Sequence, residues 1–189
     1  NQAVKLRELY YGIFNGHTDS VNVIFERNGE IREKTIARFE FYAFNYDWIK
    51  SDTIKTYQIL DGNIGYVNMG TLQKDEVSDV LEKLKDTKAI IFDVRNYPRG
   101  TMYKVANFLL PEKQEFVMVS KPDLSYPGIY NYTEPYYCGK KNKNPYQGKV
   151  VLLFNETTQS HAEFTLMALK TAPDVVCIGS QTAGADGNI

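Results

Sequence analysis

Histidine is scarce in this chain: His17 and His161 are the only two among 189 residues, so few side chains can serve as a base near neutral pH. Cysteine is equally rare. Cys138 and Cys177 lie far apart and in no metal-ligand spacing, and two cysteines do not decide the redox compartment. Cys177 sits in Val175-Val176-Cys177-Ile178 and reads as a small buried hydrophobe, while Cys138 follows Tyr136-Tyr137 in a loop, free or paired. Neither sign of charge is in excess. Twenty-two Lys and Arg face 23 Asp and Glu, a net charge of −1, so the surface has no long-range pull on nucleic acid or on an anionic membrane. The densest basic patch, Lys140, Lys141 and Lys143, carries no interleaved aromatics and reads as a solvated loop. No apolar stretch approaches the ~20 residues of a membrane-spanning helix, and no signal peptide, low-complexity segment or short-period repeat is visible. The opening residues, Asn1-Gln2-Ala3-Val4, read like the interior of a longer polypeptide.

What is present is the composition of an ordinary globular protein, 43% hydrophobic and 24% charged. Its length suits one good-sized domain, or a domain with a fragment of another. The patterning changes along the chain. A short helical pattern around Val4-Leu6-Leu9-Tyr10 precedes an alternating strand, Val21-Asn22-Val23-Ile24-Phe25. Asn28-Gly29 then favours a tight hairpin turn, and Lys34-Thr35-Ile36-Ala37-Arg38-Phe39 is the returning strand. Residues 1–45 are therefore half of a small β module, 46–60 a connector and 61–189 a second unit.

In that second unit strands and helices alternate. Ile64-Gly65-Tyr66-Val67-Asn68-Met69 reads as a strand, residues 75–88 as an amphipathic helix burying Val77, Val80, Leu81 and Leu84. Ala89-Ile90-Ile91-Phe92-Asp93-Val94 is a continuous apolar strand, followed by a helix over 102–110. Residues 111–148 form a long segment rich in Pro, Tyr and Gly. The pattern then resumes with strand 150–154, a helix over 161–170 and strand 175–179. Such alternation predicts a layered α/β core with a mainly parallel sheet.

Parallel sheets place their sites in the loops at the carboxyl ends of strands. Residues 155–163 put Ser160 at a helix amino terminus, where free N–H groups and the helix dipole can stabilise an oxyanion. Ser160-x-x-Glu163 reads equally as a capping box, in which both side chains merely satisfy backbone donors; on local sequence alone the cap is the commoner feature. Asp93-Val94-Arg95-Asn96-Tyr97-Pro98-Arg99-Gly100 could be an ion pair bracing a loop, or a turn presenting N–H groups to a carbonyl. Gly179, Gly184 and Gly187 indicate tight turns or close approach to a ligand, but the lysine and glycine spacing of a phosphate-binding loop is missing.

Taken in order, these turns resemble the C-terminal-processing peptidases and the core of tricorn protease, from about Ile64 to the last residue. Ile64-Gly65-Tyr66-Val67 is similar to that family's opening strand. Asp93 to Gly100 resembles its Asp-Leu-Arg-Asn-Asn-Pro-Gly-Gly turn, Ser160-x-x-Glu163 its nucleophile turn, and Gly179-Ser180-Gln181-Thr182-Ala183-Gly184 its Gly-x-x-Thr-x-Gly turn. The resemblance implies a ClpP/crotonase-like fold and a serine-type endopeptidase acting on proteins or peptides, through their C-termini where a PDZ domain captures them. It implies Ser160 as nucleophile and the backbone N–H of His161 as an oxyanion donor, beside one from the Arg99–Gly100 turn. It implies no cofactor or metal, and a bacterial, secreted or envelope location. The hairpin at 20–39 resembles the closing strands of a PDZ domain, which needs roughly twice the residues present before position 45.

A serine hydroxyl needs a base. Ser–Lys members of the family carry lysine after the last glycine of that turn; here Ala185 stands there, which leaves a tricorn-like histidine. His161 adjoins Ser160, and neighbouring helical side chains point about 100° apart, so its ring is not the expected base. His17, in Asn15-Gly16-His17-Thr18, superficially resembles the Asp-Gly-His-Thr motif of some relatives. It is read as a loop residue of the hairpin module and kept as a candidate base. The expectation is a base upstream of Asn1 and an orienting glutamate beyond Ile189. Arg99 departs from the family's glycine. Two other readings stand beside the peptidase: an inactive relative binding a peptide or apolar ligand, and a crotonase-like acyl-CoA enzyme, for which the Ser-x-x-Glu turn would be an accident.

Overall fold

The computed structural model describes Ile13, residues 17–38 and residues 55–187. The chain divides into two compact units, Asn1–Thr53 and Ile54–Ile189. The expected helix around Val4–Tyr10 lies outside the described residues.

In the first unit, β1 (Ser20–Arg27) and β2 (Glu30–Ala37) form an antiparallel hairpin with Arg27 opposite Glu30. The turn is Asn28-Gly29, both at positive φ (56° and 80°), as a two-residue hairpin loop requires. Ile24 and Ile31 stand 70% and 79% exposed, so the alternation here marks pairing without burial on both faces.

The second unit is built on one five-stranded sheet. Its members are β3 (Tyr57–Leu60), β4 (Ile64–Asn68), β5 (Ala89–Asp93), β10 (Lys149–Phe154) and β11 (Val176–Gly179), in the order β11-β10-β5-β4-β3. β4, β5, β10 and β11 are parallel and β3 is an antiparallel edge, which makes the sheet mainly parallel as expected. Three helices pack with it: α1 (Val77–Leu84), α2 (Met102–Leu109) and α3 (His161–Leu169). Val67, Ile90, Phe92 and Leu152 from the sheet meet Leu84, Val105 and Leu169 from the helices in one continuous core, all of them 2% exposed or less. Burying a side chain of this size contributes roughly 1.5–3 kcal/mol, so this layer dominates the unit's stability. Tyr146 ties the return to β10 into the core. Its hydroxyl donates to the Thr87 carbonyl at 2.9 Å, and its ring stacks on Phe108 with centroids 5.4 Å apart.

The segment 111–148, read from sequence only as long and rich in Pro, Tyr and Gly, contains four short strands. β6 (Gln114–Val117) pairs with β9 (Tyr136–Cys138), and β7 (Ser120–Pro122) with β8 (Tyr130–Tyr132), all antiparallel. Strands of three or four residues are too short to show a periodicity, and Pro122 sits on a two-stranded ribbon where its missing N–H is tolerated. Cys138, placed by sequence in a loop, is free and buried on β9; Cys177, expected to be buried, is free and exposed. The reason is position: β11 pairs only with β10, at the edge of the sheet.

Candidate active site

The carboxyl ends of β4, β5, β10 and β11 lie side by side, and hydrogen bonds interlock the loops that follow them. After β4, Asn68 Oδ1 accepts from the Gly70 N–H at 3.0 Å and from Asn96 Nδ2 at 2.9 Å. After β5, Asp93 is buried. Its Oδ1 accepts from the N–H and Nε of Arg95 at 3.0 and 2.9 Å, and its Oδ2 from an Arg95 terminal nitrogen and the Tyr66 hydroxyl at 2.7 Å each. Burial pushes the Asp93 carboxyl up, but the Arg95 and Tyr66 bonds prevail and hold it below the usual carboxylate range. Burial, with Asp93 alongside, pushes Tyr66 up to about 12. Asp93 and Arg95 therefore brace their loop, one of the two roles open to them from sequence.

Arg99 and Gly100 complete that loop. The positive φ of 69° falls on Gly100 and not on Arg99, so the turn accommodates a side chain where the family pattern has glycine. The Arg99 Nε donates to the Gly70 carbonyl at 3.0 Å, which carries the side chain over to the β4 loop.

The turn that carries Ser160 follows β10. Thr158, fully buried, donates to the Val94 carbonyl at 2.9 Å and accepts from the Asn155 N–H at 3.1 Å. Ser160 then sits at φ 51°, ψ −126°, directly ahead of α3. A non-glycine residue held there costs on the order of 1–3 kcal/mol and persists only where its surroundings over-determine it. The capping-box pairing expected from Ser160-x-x-Glu163 is present: the Ser160 N–H donates to Glu163 Oε2 at 3.0 Å, and the Ser160 side chain meets the Glu163 N–H in a contact that falls short of a full hydrogen bond. An ordinary N-cap has negative φ; Ser160 departs from it in that dihedral.

Ser160 is half-buried and opens onto a cleft of about 810 Å³. Val117 to Pro122 form one wall; His161, Phe164 and Met167 of α3, with Asp186 and Gly187, form the rest. Arg99 and Gly100 do not line this cleft; from their loop the Tyr97 ring lies 6.1 Å from that of His161. The His161 ring lies between Tyr97 and Phe164, and its Nε2 is buried without a hydrogen-bond partner among the described residues. His17 is exposed in the first unit, just ahead of β1.

Two residues mattered more than their sequence context suggested. Glu163, read as a cap or packing residue, accepts from the Gly184 N–H at 2.8 Å and the Ala185 N–H at 2.9 Å as well as from Ser160. Burial pushes its carboxyl up, and the Thr182 hydroxyl with these three amides brings it below the usual range. Asp186 stands in the cleft with its carboxyl raised by burial and by the charge of Glu163, against an opposing pull from His161. The glycine-rich run 179–187 was the available signal for both. Among the described residues no group of His, Cys, Asp and Glu could hold a metal, and no helix is long and apolar enough to cross a membrane.

The sequence model of peptidase family S41 matches residues 63–188, which span the whole parallel sheet beyond β3 and every loop of the cleft. The chain belongs to peptidase family S41. Solved structures share the fold at low sequence identity. A candidate peptidase from Parabacteroides merdae matches at 20% identity and a TM-score of 0.57, over 99% of this chain and 64% of that one. Mature CPAF, solved with lactacystin, matches at 13% and 0.57, over 91% and 56%. The photosystem II D1 C-terminal processing protease matches at 17% and 0.50, over 90% and 46%. The chain thus spans less than two thirds of each of these S41-like structures. No curated protein matches it.

Proposed function

We propose that this S41 chain is the core of a serine-type endopeptidase in which Ser160 attacks the peptide carbonyl. One observation carries this: Ser160 holds a strained backbone, at positive φ, at a strand-to-helix turn that opens onto a cleft. Nucleophile turns of acyl-transfer enzymes share that arrangement, because the strain exposes the oxygen at the tip of the bend. Acyl transfer then proceeds through an oxyanion that needs N–H donors. The Ser160 N–H is engaged by Glu163, so the donor from this turn is the amide of His161, an orphan of the helix start. The turn at Arg99 and Gly100 is the second source that the family resemblance implies, but it lies outside the lining of the cleft, so the His161 amide is the donor that the geometry favours.

The proton acceptor is a histidine of the tricorn-like kind and not lysine, since position 185 is alanine. His161 is unsuited to it, with its ring packed between two aromatic rings. The first unit contributes the closing strands of a PDZ-like module that captures a substrate's C-terminal tail by strand addition. A bacterial envelope or secreted location belongs to the same reading and rests on the family resemblance. A fluorophosphonate probe on the full-length protein tests the proposal: covalent labelling that disappears in Ser160→Ala is expected. The alanine at 185 also favours a second reading, an inactive relative that binds a peptide or apolar ligand, and absence of labelling would select it.

A further inference from the structure

Ser160 could relax. A serine at this position of a helix ordinarily adopts negative φ and turns its hydroxyl onto the amides of the first turn. Something must hold its backbone at φ 51°, and the bonds around it identify what does. The Ser160 N–H is gripped from two directions, by Glu163 Oε2 at 3.0 Å and by the Ala185 carbonyl at 3.1 Å. The same carboxylate takes the Gly184 and Ala185 amides, and the Ala183 N–H donates to the Thr158 carbonyl at 2.9 Å. The turn after β11 is thereby laid against the nucleophile turn, with Glu163, 8% exposed, filling the junction. Three amides on one carboxylate are charge-assisted bonds, stronger than neutral ones, and they link segments more than twenty residues apart in sequence.

We infer that Glu163 is a positioning residue: it fixes the Ser160 backbone in its left-handed conformation and locks the 182–186 turn beside it, so that the hydroxyl faces the cleft. The inference rests on Ser160 being the nucleophile. Glu163 touches no substrate and moves no proton. It acts through Ser160, and through the Asp186–Gly187 wall that the locked turn presents to the cleft.

The test is Glu163→Gln in the full-length protein, which keeps the size of the side chain but removes the charge and sets an NH₂ against amide donors. Saturation kinetics with a fluorophosphonate probe should show the maximal labelling rate constant falling about 100-fold, the usual consequence of a misplaced reacting group, with half-saturating probe concentration changed less than about twofold. Amide hydrogen exchange should quicken at Ser160, Gly184 and Ala185 by at least about tenfold, while Phe92 and Leu152 in the core keep their protection. A wild-type labelling rate constant in the variant, or unchanged exchange at those three amides, overturns the inference. Should core protection also collapse, Glu163→Asp, which keeps the charge one methylene short, takes its place. A folded Asp variant with the same local loss supports the clamp, and one that labels and exchanges like wild type overturns it. If the wild-type protein itself is not labelled at Ser160, the serine-peptidase reading falls, and the exchange measurement alone decides whether the clamp exists.

Discussion

β5 and β10 run parallel and adjacent in one sheet, and each ends in a turn organised by a buried carboxylate, yet the two carboxylates are used differently. Asp93 is satisfied within its own loop and by the neighbouring strand: Arg95, two residues on, supplies three of its bonds and Tyr66 the fourth. Glu163 is satisfied by backbone amides from its own helix start and from the turn after β11. The first arrangement closes a loop on itself. The second uses up the Ser160 amide and goes with a Ser160 backbone held at φ 51°. A self-satisfied carboxylate is scaffolding; under the reading proposed above, one that holds another residue in strain serves chemistry.

That contrast is open to experiment. The largest effect belongs to Ser160→Ala: fluorophosphonate labelling should vanish while the thermal midpoint stays within a few degrees or rises, because the strained backbone has no stabilising role. Asp93→Asn should do the opposite. Removing one partner of a buried, bonded pair is costly, though Arg95 is half-exposed and can rehydrate, so a loss of about 2–3 kcal/mol is expected in denaturant melts. Its labelling rate per folded molecule should remain that of wild type. The pH dependence follows with the same sign. Asp93 and Glu163 both lie below the ordinary carboxylate range, so each contributes stability that is fully present above the unfolded value and lost as pH falls through the folded one. Thermal midpoints measured from pH 7 down to about 3 should drop steeply in wild type and more gently in Asp93→Asn. A smaller loss, about 1–2 kcal/mol, is expected for Thr158→Val, which strands the Val94 carbonyl and the Asn155 amide at the junction of the two turns. Smallest of all is His17→Ala. A change in labelling rate below about twofold is expected for a loop residue, whereas a drop of a hundredfold or more would make His17 the base.

Much of this was legible beforehand. The apolar runs of β5 and β10 and the amphipathic stretch around Val77, Val80, Leu81 and Leu84 announced a parallel α/β sheet, because burial on both faces leaves a continuous hydrophobic run. The carboxyl-end turns were found by the same logic. The ribbons within 111–148 were not, since their three- and four-residue strands are held by cross-strand backbone pairing that leaves no periodic trace. Cys177 was misplaced because an edge strand and a central one can share the same apolar composition. At the site, Ser-x-x-Glu was ambiguous. A capping box and a nucleophile turn use the same residues at the same spacing and differ only in one backbone dihedral and in where the hydroxyl points.

The amino-acid sequence by itself determined the sheet, its order of strand–helix alternation, the family, and the placement of Ser160 at a helix start; these follow from local periodicity and from short contiguous motifs. The tertiary structure alone decided that Glu163 joins its own helix start to the turn after β11, that Ser160 is held at positive φ, and that the wall of the cleft opposite α3 comes from the segment 117–122. The physical reason is that a carboxylate's partners are chosen by which amides the fold brings within 3 Å of it, and here two of the three come from a turn more than twenty residues along the chain.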